Sequence, residues 1–429
     1  MIGAAGPDNP NLRLGPLAGR IMLIAGAIGL AGLVLSVLLA LAAGWERFFR
    51  SYLTAFMFVL SLALGGLFFT FIQHATRAGW SVTIRRIAEG FAANLVWLWI
   101  LFLPILGLVI AGKGGLLYDW MDPAYAAGDE LYAHKRPYLN EPFWVIRAIV
   151  FLAVWAGAGA FFLRNSVAQD RSGDVQLTHR LQRWAPVAAI LYGLTQTFAV
   201  IDWVMALEAH WFSTMFGVYY FASSCCGFFA LQIVAVYCLQ RQGRIREEIT
   251  LEHYQDMGKQ LFAFGIVFWA YIAYSQYMLI WYANIPEETG WYMARQLGGW
   301  GGVSLLLLVG HFLLPFLLLV TKHTKRIRGL LAAIALWALA LHFLDIYWLV
   351  MPHVPGEVIA EARTYGEVAE QVAARGGELV GYDPMLIDLT CLVGLGGLFI
   401  AGTAHRLRSC ALIPVGDPRL GESLAFENM

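Results

Sequence analysis

The feature that most constrains this chain is a series of ten apolar segments, each about 20 residues long. Inside a bilayer every backbone polar group must be hydrogen-bonded within its own segment, so runs of this length predict membrane-spanning α-helices. Hydrophobic residues make up 59% of the chain and charged residues only 14%, whereas a soluble domain has about 25% charged residues. We therefore predict an all-α polytopic membrane protein with ten transmembrane helices, near 17–42, 48–73, 87–111, 143–164, 184–206, 213–239, 260–283, 299–320, 329–350 and 385–405.

Lysine and arginine are distributed unevenly between the links that join these segments. The two termini and the links 2–3, 4–5, 6–7 and 8–9 hold 20 of the 29, and the opposite links hold eight. Because cytoplasmic loops are enriched in Lys and Arg, we expect both termini in the cytoplasm of a bacterial inner membrane. We expect the first span to be retained, since no cleavable signal pattern accompanies it. The long links 112–142 and 351–384 would then lie outside, the second with a short amphipathic surface helix.

A weak internal repeat predicts how the ten helices are grouped. Spans 2–5 and 6–9 would cross in the same order, and each group ends in a helix that carries an aspartate, Asp202 or Asp345. The repeat predicts two consecutive four-helix bundles, helices 2–5 and 6–9, related without inversion and flanked by helices 1 and 10. The small residues Gly394, Gly397 and Ala401 predict close packing of helix 10. We divide the chain accordingly at 1–47, 48–206, 213–350, 351–384 and 385–429.

Two polar clusters, which we call the first and second knots, lie at the ends of the aspartate-bearing helices. The first knot contains Asp202, Glu208 and His210. The second contains His342, Asp345 and His353, and in both knots a histidine follows the aspartate by eight residues. Carboxylates and histidines inside a membrane are costly and mark proton paths in pumps and transporters. We predict that these six residues form a proton relay; the alternative is a structural role between helices.

The remaining polar side chains within the spans are few, namely Asn94, Arg147, Gln196, Gln232, Ser275, Gln276 and His311. His311 and His342 could ligate a b-type haem across a bundle, but the first bundle offers no matching pair, and we disfavour this. A quinone headgroup fits better, because it needs donors near the membrane surface. Tyr282 and Gln276, beside the knots, could supply that neighbourhood. We predict no metal and no resident cofactor in this chain.

Other classes of site find little support. The five cysteines form no C-x-x-C or C-x-x-C-H pattern, which disfavours iron–sulfur clusters and covalent haem in this chain. Glycine clusters such as 298–302 border membrane spans and follow no strand, which disfavours a nucleotide site. No nucleic-acid partner is expected.

Three long segments carry a resemblance to a known family. They are IDWVMALEAHWFSTMFGVYYF (201–221), EHYQDMGKQLFAFGIVFWAYIAYSQYMLIWYANIPEETGWY (252–292) and LHFLDIYWLVMP (341–352). With the spans between them, they make most of the region 180–352 similar to the ActF subunits of bacterial alternative complex III, a quinol:electron-acceptor oxidoreductase. The regions before 180 and after 355 are less distinct.

The resemblance implies ten helices in two four-helix bundles and no cofactor in this subunit. It also implies partners: a sister NrfD/PsrC-like membrane subunit of the ActC type, and periplasmic subunits that carry iron–sulfur clusters and c-type haems. From the residues and the resemblance together, we interpret the chain as a non-redox subunit of a quinol-oxidising complex that helps conduct protons and hold the assembly together. A free-standing secondary transporter and an inert anchoring subunit remain alternatives. Pro104 and Pro315 interrupt spans that do not correspond in the repeat, which disfavours the transporter.

Overall fold

A computed structural model describes residues 9–127, 130–353 and 386–428, together with positions 367, 370, 371 and 374. Within these ranges lie ten helices that are long and apolar enough to cross a membrane, as predicted. We number them α1 to α10: Pro16–Ala43, Trp45–Ala75, Val82–Ile110, Glu141–Ser172, Val175–Trp203, Phe216–Arg241, Leu251–Ala283, Trp300–Leu319, Arg328–Val350 and Leu386–Leu407. The predicted surface helix in 351–384 lies outside the described residues.

Several helices extend beyond the apolar segments that predict them. α7 begins at Leu251, and its first turns carry Glu252, His253, Asp256 and Lys259. Thr250 caps this end, because its side chain accepts from the backbone of the first turn and His253 reaches back to Thr250 N. Hydropathy detects only the part of a helix that crosses hydrocarbon, so these polar turns were not predicted.

The helices form the two predicted bundles, which meet along α2 and α6. α2, α3, α4 and α5 pack around one another, as do α6, α7, α8 and α9. α2 is buried along almost its whole length. At Gly65 it approaches α6 so closely that a Cβ would lie 2.6 Å from the carbonyl oxygen of Ser224. The absence of a side chain at Gly65 therefore sets the distance between the bundles.

Helices α1 and α10 form a third unit beside the first bundle. They pack along each other through facing glycines, and α10 also packs on α2 and α3. A Cβ at Gly32 would lie 2.8 Å from Gly394 N, and one at Gly397 would lie 2.7 Å from the carbonyl of Ala25. Arg47 of α2 holds the start of α10 through an ion pair with Asp388 at 2.6 Å. The predicted close packing of α10 is present, with α1 as its partner.

We call the two ends of the molecule the loop end and the tail end. The loop end carries residues 112–127, 130–140 and Met351–His353, and the tail end carries both described chain termini. There the tail, residues 409–428, runs beneath both bundles. Ser423 Oγ donates to the carbonyl of Trp80 at 2.6 Å and lies 3.3 Å from His253 Nε2, so it joins the first bundle to the start of α7.

A buried ion network fastens the same tail to α3. Arg85 pairs with Asp417 of the tail and with Glu89 of its own helix. Arg86 pairs with Glu89 at 2.9 Å and with Asp170 of α4 at 2.7 Å. These groups are almost fully removed from solvent, and each of the three carboxylates pairs with at least one of the two arginines, which is the condition under which buried ions are tolerated.

Candidate functional site

The first knot is a buried ion pair. Both carboxylate oxygens of Asp202 accept hydrogen bonds from Arg147, at 2.6 Å from Nε and 3.0 Å from Nη2. Trp144 Nε1 also donates to the Asp202 carbonyl at 3.1 Å. A guanidinium remains charged at any physiological pH, so this geometry holds Asp202 as a carboxylate and ties α4 to α5.

The second knot is built differently. Asp345 is fully buried, and its carboxyl accepts from three neutral donors. Tyr219 Oη lies 2.6 Å from Oδ1, and Ser223 Oγ and Trp269 Nε1 lie 2.5 and 3.1 Å from Oδ2. Tyr219 and Ser223 are one turn apart on α6, so they present their hydroxyls on the same face. Within the described part of the chain, no cation pairs with Asp345.

The two knots are therefore not equivalent, although the sequence repeats them. Arg147, the cation of the first knot, has Arg295 as its counterpart before α8. Arg295 does not reach Asp345 but donates to the carbonyls of Trp348 and Leu349 at the end of α9, at 3.1 and 2.9 Å. Burial lowers the pKa of Arg295 to about 9, which still leaves it charged at neutral pH. It thus caps a helix, and the second carboxyl is left with neutral partners.

One histidine lies near Asp345 on the same helix, and a second packs on its partner Trp269. His342 is about one turn earlier on α9, and its Nε2 lies 2.7 Å from Ser61 Oγ of α2. The ring of His311, on α8, is 4.2 Å from that of Trp269. Three of their four ring nitrogens have no hydrogen-bond partner among the described residues: both nitrogens of His311 and Nδ1 of His342. The Leu341 carbonyl adjoins the His311 ring without normal hydrogen-bond geometry.

The packing around His342 is tight. A Cβ at Gly227 would lie 2.4 Å from its ring, and the ring of Phe58 is 5.3 Å away. A haem macrocycle would need space that Gly227 and Phe58 occupy, so the side chains around His342 fit that group poorly. Among the described residues, no group of three or more His, Cys, Asp or Glu side chains is arranged to hold a metal ion.

Two π-helical segments, in which the helix is locally wider, lie at His311 and beside Trp269. Leu261–Val267 of α7 and Leu307–Leu313 of α8 are π-helical, and the two segments contact each other. His311 belongs to the second segment, and Trp269 follows the first. A π-turn inserts one residue and rotates the side chains that follow, and such turns occur frequently at functional sites. Here they lie where the rings of Trp269 and His311 meet.

A line of polar groups leads from this site towards the loop end. Tyr292 lies within electrostatic range of Tyr219, but these two described side chains share no hydrogen bond. Gln276 Nε2 donates to Tyr292 Oη at 3.0 Å, and Ser213 Oγ donates to Gln276 Oε1 at 3.0 Å. Gln276, predicted as part of a quinone neighbourhood, is thus buried within this line. Ser213 lies in the link between the bundles, at the loop end.

The other predicted residues lie nearer the surface. His353 Nδ1 is 2.8 Å from Glu208 Oε1, so a residue of the second knot pairs with one of the first across the bundles. Burial raises the pKa of the neighbouring Asp119, and His353 and Arg50 oppose that rise. His210 is exposed at the loop end. Tyr282 is 84% exposed on the outer surface of α7 and takes no part in the cluster.

The partners of Asp345 were missed by the sequence reasoning. Tyr219, Ser223 and Trp269 lie in segments that the sequence singled out, but hydroxyl and indole side chains are common in membrane helices. Only the i, i+4 spacing of Tyr219 and Ser223 could have indicated a shared face.

No protein-family model matches the chain, and no curated protein matches it significantly.

Proposed function

We propose that this chain is an integral membrane subunit of a quinol-oxidising respiratory complex and that Asp345 is the proton-accepting group of a pathway within it. The observation that carries the proposal is the neutral surrounding of a fully buried carboxyl. Ionisable groups within a membrane are expensive and usually functional. A structural carboxylate at this depth would be expected to have a cation, as Asp202 does.

The partners of Asp345 suit proton exchange. A phenol or hydroxyl can donate to a carboxylate and can accept from a protonated carboxyl, so Tyr219 and Ser223 serve either form. The Trp269 indole can only donate and therefore fixes the position of Oδ2. His342 and His311, with free ring nitrogens nearby, can hold a proton in transit.

The pathway opens towards the loop end. Asp345 lies about 8 Å along α9 from Val350, and the hydrogen-bonded groups Tyr292, Gln276 and Ser213 lie on that side of it. On the tail side of Ser61 the core of α2 and α6 contains buried Leu64 and Phe228, but also the polar Thr70 and Gln232. The hydrogen-bonded groups on the loop side support a pathway in that direction. The distribution of Lys and Arg favours the periplasm as the loop side, with both termini cytoplasmic.

The placement in a complex depends on the resemblance to ActF subunits of alternative complex III. On that basis the partners are an ActC-type sister subunit and periplasmic subunits with iron–sulfur clusters and c-type haems, with the quinol site beside those clusters. Glu208 and His353 would then form the exit at the periplasmic surface. Asp202 and Arg147 would be structural.

The test is Asp345→Asn in the purified complex reconstituted into liposomes. We expect the complex to assemble and its redox centres to be reduced by quinol, because asparagine retains the shape and can still accept from Tyr219. Quinol-driven proton release should fall by about tenfold or more, since direct proton transfer by a positioned group contributes about 10²–10⁴-fold. Asp202→Asn is the matched control and should impair assembly instead. Wild-type turnover and proton-to-electron ratio in Asp345→Asn would refute the proposal.

The secondary transporter is the second candidate. α3 is interrupted at Ala93 and Asn94, and the corresponding α7 contains its π-helical segment, so the interruptions do correspond in the repeat. However, Ala93 and Asn94 keep helical dihedral angles, and neither helix is unwound to expose its backbone. A single-chain band on native gels with substrate uptake by the isolated protein would favour this candidate.

A further inference from the structure

One face of α7 carries large exposed side chains at heptad spacing. Its members are Tyr271, Tyr274, Met278 and Trp281, exposed by 63%, 63%, 38% and 66%. The intervals of three, four and three residues are those of a helix that packs lengthwise against another helix. We call this face the aromatic seam.

The aromatic seam differs from the other exposed faces of the molecule. The exposed large side chains of α1 are aliphatic, for example Leu23, Val34 and Leu41, and those of α8 include Leu305, Leu308 and Leu317. Aliphatic faces are what lipid chains require. Aromatic residues are enriched only near the membrane surface, which accounts for Trp281 but not for residues deeper in the membrane.

Two members of the seam carry hydroxyls far from that surface. Tyr274 and Tyr271 lie about 14 and 18 Å along the helix from Ala283, within a hydrocarbon layer about 30 Å thick. A tyrosine side chain is too short to bring its hydroxyl to the surface from there. Neither hydroxyl makes a hydrogen bond to any described residue. In lipid both would remain unsatisfied, which is unfavourable.

We infer that the aromatic seam binds a transmembrane helix of another subunit, whose facing side is made of small residues and supplies hydrogen-bond acceptors to Tyr271 and Tyr274. Serine, threonine or asparagine would provide the acceptors, as such residues do across membrane helices. A second copy of α7 fits poorly, because two rows of bulky side chains would hold the helices apart. The inference does not depend on the identity of the complex or on the role of Asp345.

The first test is position-specific photo-cross-linking in native membranes. A benzophenone amino acid replaces Tyr271, Tyr274 or, as the control, the lipid-facing Leu308. We expect the two seam positions to cross-link to one polypeptide, at neighbouring sites in an apolar segment that carries Ser, Thr, Asn or Gln, and Leu308 not to do so. Cross-links only to lipid, to a second copy of this chain, or to a segment without hydrogen-bonding side chains would overturn the inference.

The second test removes the hydroxyls alone. Tyr271→Phe with Tyr274→Phe keeps the rings and the fold, and we expect it to lower the fraction of that polypeptide retained in detergent by about five- to tenfold. Tyr282→Phe is the matched control, since its hydroxyl lies at the membrane surface, where water can satisfy it. Equal retention in the double variant and the control would show that the two hydroxyls bind no partner helix.

Discussion

At the level of single residues, the two aspartates show how the same residue in a repeated sequence acquires different chemistry. Asp202 faces a permanent cation, whereas Asp345 faces two hydroxyls and an indole. The difference arises from their neighbours on other helices. Arg147 extends towards Asp202 from α4, and Arg295 is instead held by carbonyls at the end of α9.

The Asp202–Arg147 pair allows a prediction about stability. Asp202→Asn leaves the guanidinium of Arg147 buried without a counter-charge, and we expect unfolding in detergent to become easier by about 3–5 kcal/mol. Replacing both residues, as Asp202→Leu with Arg147→Met, should recover most of that loss because no charge remains to be compensated. Thermal unfolding of the solubilised protein measures both variants. Equal melting temperatures for the wild type and Asp202→Asn would contradict the prediction.

Arg295 supports a second prediction. It is fully buried, its guanidinium lies 3.3 Å from the centre of the Trp291 ring, and it donates to three backbone carbonyls. Arg295→Gln removes most of these bonds and should lower stability by about 2–4 kcal/mol. The stability of Arg295→Lys should lie between those of the wild type and Arg295→Gln, because an ammonium cannot reach all three acceptors. Limited proteolysis at the loop end, compared among the three proteins, would detect the loosened end of α9.

At the level of elements, the existence and order of the helices could be predicted from apolar length alone. The grouping into bundles could also be predicted, because the repeat preserves the order of the helices. The rotation of each helix about its axis could not. Whether Ser223 faces Asp345 depends on packing of α6 against α9, and the π-helical segments that rotate α7 and α8 have no clear signal in the residues 261–267 or 307–313.

The glycine contacts between α1 and α10 give a prediction at this scale. Gly32→Leu would place side-chain atoms where the backbone of Gly394 now lies, so we expect α10 to separate from α1. Gly107→Leu, on α3, is a matched control because nothing lies within 4 Å of its Cβ position. Disulfide formation between cysteines introduced at Gly26 and Ala401 should be lost only in the Gly32 variant. Persistence of that disulfide would show that the helices accommodate the side chain.

At the level of the whole molecule, the orientation in the membrane remains a prediction from the Lys and Arg distribution. In a background with Cys238, the exposed cysteine, replaced by Ala, Lys113→Cys at the loop end should react with an impermeant maleimide added to spheroplasts. Gln242→Cys at the tail end should react only after lysis. The opposite pattern would place the Asp345 pathway at the cytoplasmic face.

The docking of the tail at the tail end of the molecule could not be predicted from the sequence. Its contacts join residues far apart in the chain, such as Leu412 N to the carbonyl of Leu12 at 2.6 Å and Asn428 to Glu252. The tail contains ordinary polar residues in no recognisable pattern, so composition gave no indication of docking. Its contacts with α3 include the ion pair of Asp417 with Arg85 and the hydrogen bond that Arg86 donates to the Ala411 carbonyl.

Because the partners in these long-range contacts are synthesised far apart in time, the contacts can form only late. Arg47, Arg85 and the Leu12 carbonyl leave the ribosome early, and their partners Asp388, Asp417 and Leu412 follow more than 300 residues later. At about 5–20 residues per second, the interval is on the order of 20–80 s. Through that time Arg47 lacks Asp388 and Arg85 lacks Asp417, so neither arginine has its full set of acidic partners, which opposes complete burial of α2 and α3. The first bundle can therefore reach its final packing only after α10 has been inserted and the tail has been released.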